Sequence, residues 1–358
     1  MSASDAASPT DLNNRGVTEA AAGHFEEGTA LLRRAIQRDP AYTLAKNNLS
    51  AMLADWARLL ARQGRIDQAA ASLQEAVERD PQNGAAFVQL GDLLYLQRSD
   101  LAGAVKAWRQ ANGHVPAAVW QAVANRISQA QRDQLIERGF IARASAHFDI
   151  RFQQSLPVDA APLEQRLEAS YARLAGELGR GLSRVAVLVY TEQDLRRAYN
   201  QRDWALGFYD GRIRIRADDL EQDYLADILA HELAHAFLHQ AFGGAIPTWV
   251  HEGFAQFEER PRPADPETAR LEAHLRERTA WIPLKWLDRH FEQPADLGDI
   301  ARSYAESRLA VRELITRRGL SQFVKFLSAL SSGAAVETAY DQAFAPSRWA
   351  SADQGNFD

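Results

Sequence analysis

Four residues in the middle of the chain have the side chains and spacing that metal-dependent hydrolysis requires. His231 and His235 are four residues apart, so on a helix both imidazoles lie on one face and reach a single metal ion. Glu252 follows seventeen residues later and can supply a third ligand from a second helix, which leaves a fourth position open for water. Glu232 points around the helix, where its carboxylate can reach that water and act as a general base.

The candidate ligands favour zinc over other divalent metals. Two imidazoles and one carboxylate suit a borderline ion, whereas magnesium and calcium prefer shells made of oxygen atoms. The chain has no cysteine, which excludes thiolate ligands and disulfide bonds. We therefore expect one catalytic Zn²⁺ per chain, held by His231, His235 and Glu252.

The residues around these ligands predict the two helices that must position them. The apolar spacing of residues 220–230 indicates one continuous amphipathic helix that runs into His231. This helix should end at the glycines after Phe242, and Pro247 should begin the next one with Thr248 as its N-cap. Glu252 would then lie in the opening turns. The alternative, an exposed helix with two solvated histidines, accounts less well for this context.

These motifs resemble those of the gluzincins, zinc metallopeptidases with a His-Glu-x-x-His helix and a downstream glutamate ligand. Residues 231–259 look most like the peptidase MA-like group, whose second motif reads Pro-x-Trp-hydrophobic-x-Glu-Gly-x-Ala. Here that motif is Pro247-Thr248-Trp249-Val250-His251-Glu252-Gly253-Phe254-Ala255. A weaker resemblance extends over roughly residues 146–345. A metzincin is excluded, because this chain has Leu238 and Ala241 where a glycine and a third histidine are required.

The resemblance implies hydrolysis of peptide bonds in a peptide or protein substrate, with Glu232 as the general base. It also implies a polar group that stabilises the oxyanion, and Tyr304, 52 residues beyond Glu252, is the candidate. The alternative for Tyr304 is a packing role at the domain edge. The zincin resemblance further implies that Gly207–Tyr209 forms an edge strand that pairs with the substrate main chain.

One departure from the gluzincin pattern leaves a second function open. Gluzincins often carry an acidic residue four positions after the ligand glutamate, where it orients a ligand histidine, and this chain has Gln256 there. An amide oxygen accepts the ring N–H but lends the ring less basicity than a carboxylate does. A catalytically weak or inactive zincin-fold interaction scaffold is therefore the alternative to an active peptidase.

The N-terminal third contains an internal repeat. Residues 13–16 recur as residues 47–50, and residues 35–40 recur as residues 76–81. These helix pairs resemble tetratricopeptide repeats, although the prolines that end the two units are 41 residues apart instead of 34. The seven extra residues lengthen a helix by about two turns without rotating its buried face. Such a stack presents a groove but no chemistry, so we expect it to recruit a protein partner or substrate.

The later segments of the repeat region and the start of the second domain can also be placed. A third helix pair begins near Phe87, with Leu90-Gly91 in tight contact with a second helix that carries Trp108. Residues 116–138 read as a helix that covers the last repeat. Alternating or continuous apolar residues predict strands at 147–152 and 184–190, and a hairpin over 204–216 that turns at Asp210-Gly211. Helices are expected after Glu252, over residues 267–278, 283–290, 299–317, 320–331 and 336–344.

Together these patterns predict a mostly helical α+β protein, a tetratricopeptide stack followed by a zincin-like domain. The expected divisions are a disordered start at 1–11, repeats at 12–115, a connecting helix at 116–145, the peptidase domain at 146–348 and a disordered tail at 349–358. A net charge of −6 provides no basic surface for nucleic acid. No apolar run is long enough to span a membrane. The first residues lack a signal peptide, which predicts a cytoplasmic protein, or a periplasmic or secreted one if a leader has been removed.

Overall fold

The computed structural model describes residues 7–156, 159–199, 207–243, 246–259, 270–271, 273–275, 281–344 and 349–353. Contacts divide the chain into two units, Met1–Phe140 and Ile141–Asp358. The described residues form a helical stack followed by a unit that combines helices with one small mixed sheet, so the predicted α+β class is confirmed. None of the described helices is long and apolar enough to cross a membrane.

The first unit is a succession of helices, each packed against the next. Their bounds are α1 Pro9–Ala21, α2 Phe25–Arg38, α3 Thr43–Arg62, α4 Ile66–Arg79, α5 Gly84–Arg98, α6 Leu101–Gln110 and α7 Ala117–Ile136. Glycines allow the closest approaches. A Cβ on Gly16 of α1 would lie 2.9 Å from the carbonyl oxygen of Gly28 on α2. A Cβ on Gly91 would lie 2.3 Å from the Trp108 ring, which confirms the predicted tight contact between α5 and α6.

Parts of the two terminal segments that the sequence predicts to be disordered are helical. Helix α1 begins at Pro9, inside the segment expected to be disordered, because Ser8 and Asp11 form a capping box. Near the other end, Trp349–Asp353 is helical rather than disordered. The buried Asp353 carboxylate explains this order, since it accepts a hydrogen bond from the Lys285 backbone N at 2.9 Å. Residues 1–6 and 354–358 lie outside the described residues.

The second unit is built around a five-stranded sheet. Its strands are β1 Phe140–Ala144, β2 Phe148–Gln153, β3 Val185–Tyr190, β4 Gly207–Tyr209 and β5 Ile213–Arg216, in the order β1-β2-β3-β5-β4. The β2–β3 and β3–β5 pairs are parallel, and β4 pairs antiparallel with β5. Every residue of β3 is buried, as expected for a central strand covered on both faces. Strand β1, which the sequence analysis missed, lies at one edge, and β4 lies at the other.

Helices α8 and α9, Ala160–Leu178 and Glu192–Tyr199, alternate with the strands. Helix α10, Leu225–Phe237, carries the two histidines and packs against α8 and β4. The later helices are α11 Thr248–Glu258, α12 Leu284–Glu292, α13 Leu297–Arg318, α14 Leu320–Ser331, α15 Val336–Ala343 and α16 Trp349–Asp353. The predicted helix 267–278 lies largely outside the described residues, as do residues 204–206 of the predicted hairpin.

Two helix boundaries near the site differ from the predictions. Helix α10 begins at Leu225 rather than at residue 220, because a short 3₁₀ turn at Ala217–Asp219 comes first. That turn is held by Asp219, whose carboxylate accepts hydrogen bonds from Arg216 at 2.7 and 2.9 Å and from the Tyr224 hydroxyl at 2.7 Å. Helix α11 has Pro247 at its N-cap, so Thr248 is its first residue and not its cap.

Candidate metal centre

The three predicted ligands meet between α10 and α11. Their donor atoms are Nε2 of His231, Nε2 of His235 and Oε2 of Glu252. The two nitrogens are 3.1 Å apart, and the carboxylate oxygen is 3.8 and 3.7 Å from them. Among the described residues, this is the group of histidine and acidic side chains that could hold a metal ion.

The spacing of these donors fits zinc. Tetrahedral zinc with bonds of about 2.1 Å separates neighbouring ligand atoms by about 3.4 Å. The observed separations of 3.1 to 3.8 Å bracket that value, so an ion needs only small adjustments of the side chains. All three side chains are partly buried, which favours direct ligation over solvation by water. Three protein donors leave one position open, as a catalytic site requires.

A tight helix contact fixes Glu252. The next residue, Gly253, lies against α13, and a Cβ there would be 2.3 Å from the Ser307 carbonyl oxygen and 2.6 Å from Val311 Cγ2. Only glycine allows this approach. Trp249 and Phe254 are buried on either side of the contact, so the start of α11 is held in the core. The side chain of Glu252 is thereby presented toward the two histidines.

A third acidic residue, Glu259, which the sequence analysis did not single out, lies beside the candidate ligands. The Glu259 carboxylate lies 2.7 Å from Nδ1 of His231. When Nε2 binds a metal, Nδ1 carries the proton, so this contact is an N–H donated to the carboxylate. The gluzincin comparison placed this role at position 256, four residues after Glu252, where the chain has Gln256. The carboxylate comes instead from Glu259, seven residues after Glu252 and one residue beyond the end of α11.

The two histidines differ in their electrostatic surroundings. Burial alone would lower the pKa of His231, but the Glu259 hydrogen bond and the charges of Glu232, Glu259 and Glu252 raise it to about 9. Burial, together with the positive charge of His231, holds the pKa of His235 well below its usual value. The acidic groups around His231 therefore favour a positive charge at this place.

Glu232 is buried beside the ligands. Burial raises its pKa to about 7, with the His231 charge opposing that rise and the neighbouring Glu252 and Glu259 charges adding to it. A buried carboxyl group beside the candidate ligands can both accept and return a proton. This is the behaviour required of a general base that later acts as an acid.

The structure places Tyr304 on α13, partly buried, with its ring edge-on to Phe291 at a centroid distance of 5.1 Å. This contact matches the packing alternative considered for Tyr304. Its assignment as the oxyanion group stays a prediction.

Strand β4 lies at the edge of the sheet and packs against helix α10. Gly207 brings the two elements together, since a Cβ there would be 2.9 Å from Ile228 of α10. The hairpin after β4 is fixed by Arg214, which is fully buried and bonds both Asp210 carboxylate oxygens at 3.1 Å. The Arg214 guanidinium also donates to the Tyr190 hydroxyl at 2.6 Å. An edge strand at this place has a fixed geometry relative to His231 and His235.

Comparison with known proteins adds one finding. The sequence matches the family described as the peptidase MA superfamily over residues 169–347, which is half of the chain and contains every residue of the candidate metal centre. A search of curated proteins returns no match.

Proposed function

We propose that this chain, which belongs to the peptidase MA superfamily, is a zinc-dependent peptidase that hydrolyses peptide bonds with Glu232 as its general base. The observation that carries the proposal is the convergence of the His231, His235 and Glu252 donor atoms beside a buried glutamate. Zinc, when bound by these residues, supplies Lewis acidity toward water and a peptide carbonyl.

The protein's own residues then perform the proton transfers. Glu232 takes a proton from the attacking water at its carboxylate and later gives it to the leaving amine. Glu259 keeps His231 in the tautomer with a free Nε2 lone pair, and a carboxylate partner raises the basicity of the ring. Strand β4 lies at the sheet edge beside α10, so a peptide main chain can add to it as a further strand. Such pairing supplies affinity with little preference for side chains.

The scaffold alternative rested on Gln256, which cannot orient a histidine as strongly as a carboxylate. Glu259 supplies a carboxylate to His231 instead, so Gln256 no longer favours an inactive site. We also propose that the helical stack of the first unit, which resembles tetratricopeptide repeats, recruits the protein substrate or a partner. The succession of helix pairs from α1 to α6 supports this second proposal.

The proposal is tested by metal analysis and peptide cleavage on the same full-length sample. Protein purified without chelating resin should contain about one zinc per chain and should cleave members of a broad peptide library. Removal of the metal with a chelator should abolish cleavage, and added zinc should restore it. A folded protein that has no zinc and takes up none would contradict the proposal.

A further inference from the structure

The end of helix α11 is held by an arginine from a different helix. One terminal nitrogen of Arg173, on α8, donates to the Glu258 carboxylate, and the other donates to the Glu258 carbonyl oxygen at 3.2 Å. Glu258 is the last residue of α11. Its carbonyl is among those at a helix C-terminus that lack an intrahelical donor, and a cation there also suits the helix dipole.

The residue that follows this attachment is Glu259, whose carboxylate contacts Nδ1 of His231 at 2.7 Å. Glu259 has extended backbone angles, φ −62° and ψ 143°, so the helix no longer fixes its direction. The position of the Glu259 carboxylate therefore depends on where the end of α11 lies. Arg173 holds the end of α11 through Glu258, one residue before Glu259.

We propose that Arg173 is a positioning residue for the metal centre, which holds the end of α11 so that Glu259 stays hydrogen-bonded to His231. The inference rests on the proposed function in that zinc is the metal bound. Arg173 touches neither the ligands nor the substrate in this scheme, and acts only through Glu258 and Glu259.

The chemistry of the pair favours a fixed attachment over an incidental surface contact. The Glu258 side chain is 1% exposed, whereas that of Arg173 is 41% exposed. Burial raises the pKa of the Glu258 carboxyl to about 7, while the charge of Arg173 acts to lower it. A buried carboxylate that loses its cation is strongly unfavourable, so the end of α11 should move if Arg173 is removed. The planar guanidinium of arginine can donate to two separate acceptors at once, whereas the compact ammonium group of lysine is less suited to both.

The test measures how fast the zinc-loaded, full-length protein loses zinc to an excess of a colorimetric chelator. Loss of an outer hydrogen bond to a ligand histidine typically weakens metal binding by about 10- to 100-fold, and we expect Glu259→Ala to accelerate release by that range. Arg173→Ala should accelerate release by about tenfold, and Arg173→Lys by less. In a Glu259→Ala background, Arg173→Ala should add nothing, because the acceptor that Arg173 positions is already gone.

Arg143→Ala is a matched control, since it also breaks an arginine–glutamate pair to α8, with Glu164 at 2.8 Å, but is not linked to Glu259. It should release zinc at the wild-type rate. Circular dichroism on each variant separates changes at the site from loss of fold. If Arg173→Ala does not fold, the zinc release rate of Arg173→Lys is used instead. Faster zinc release than in the wild type supports the role of Arg173, and the wild-type rate overturns it.

Two results would overturn the role of Arg173 while leaving the peptidase intact. One is a wild-type release rate in a folded Arg173→Ala variant of an active, zinc-retaining protein. The other is an equal acceleration by Arg173→Ala with and without Glu259, which would show an effect that does not pass through Glu259. A wild-type protein that retains no zinc would instead overturn the proposed function, and this inference with it.

Discussion

Gly253 lies against the backbone of Ser307, so that a Cβ on Gly253 would be 2.3 Å from the Ser307 carbonyl oxygen. The contact joins α11 to α13 one residue after Glu252, the proposed third ligand. Because a backbone atom cannot rotate away, any side chain at position 253 must push the two helices apart. The position of the third ligand therefore depends on a glycine that has no chemical role of its own.

We expect Gly253→Ala to weaken zinc binding and to destabilise the protein by about 1–3 kcal/mol, the usual cost of overpacking a well-packed interior. The shift of α11 moves Glu252 away from the two histidines. The zinc content after dialysis measures the effect on zinc binding, and urea denaturation measures the effect on stability. Gly176→Ala on α8 is the control, since a Cβ there meets no atom within 4 Å. Normal zinc content in Gly253→Ala would show that the contact does not position Glu252.

Zinc binding should release protons. In the metal-free protein, the pKa of His231 is raised to about 9, chiefly because the Glu259 hydrogen bond and nearby acidic charges outweigh burial. Its usual value is 6.5, so the ring is protonated at pH 7, and zinc must displace that proton. The zinc affinity should therefore rise as the pH increases from 7 to about 9. Above about pH 9, His231 is deprotonated and should contribute no further increase.

Calorimetry in two buffers of different ionisation enthalpy measures this release. At pH 7 we expect about one proton per zinc from His231, and fewer in Glu259→Gln, which lacks the charged partner. Zinc binding that is independent of pH between 7 and 9 would contradict the assigned environment of His231.

Tyr304→Phe tests the remaining candidate for oxyanion stabilisation. If the hydroxyl contacts the transition state, kcat should fall by about 100-fold while KM changes little, because the interaction forms only in the transition state. If Tyr304 only packs against Phe291, the variant should retain kcat, since phenylalanine preserves the ring contact. Steady-state kinetics on a single cleaved peptide distinguishes these outcomes.

The edge position of β4 leads to a structural prediction. A crystal structure with a peptide-like inhibitor should show its main chain hydrogen-bonded to Gly207–Tyr209 as an added strand. The affinity should change little when inhibitor side chains are varied. An inhibitor whose backbone runs elsewhere in the site would refute the role of β4.

The local sequence was sufficient to predict the general fold and the convergence of His231, His235 and Glu252, because both depend largely on short-range periodicity. His231 and His235 share a face by helical spacing alone, and the repeat pattern of α1 to α6 is carried by small residues such as Gly91. The two strands predicted at 147–152 and 184–190 correspond to β2 and β3, and the structure shows that they pair in parallel.

Tertiary contacts decided what the sequence analysis missed. Glu259 lies beyond the end of α11 and contacts His231. The preceding residue, Glu258, accepts a hydrogen bond from Arg173, which lies 85 residues earlier in the chain. The order of residues 349–353 depends in the same way on the distant Lys285. No periodic pattern signals such contacts, although an acidic residue seven positions after a ligand glutamate is a feature that could have been considered.

Two glutamates with different assigned roles provide the most direct test of the peptidase. Glu252→Ala removes a negatively charged ligand, so both zinc occupancy and hydrolysis should be lost. Glu232→Gln keeps the size of the side chain but cannot accept a proton. We predict that this variant retains zinc while peptide hydrolysis falls by about 100-fold or more. Wild-type hydrolysis by zinc-loaded Glu232→Gln would show that Glu232 is not the general base of a peptidase.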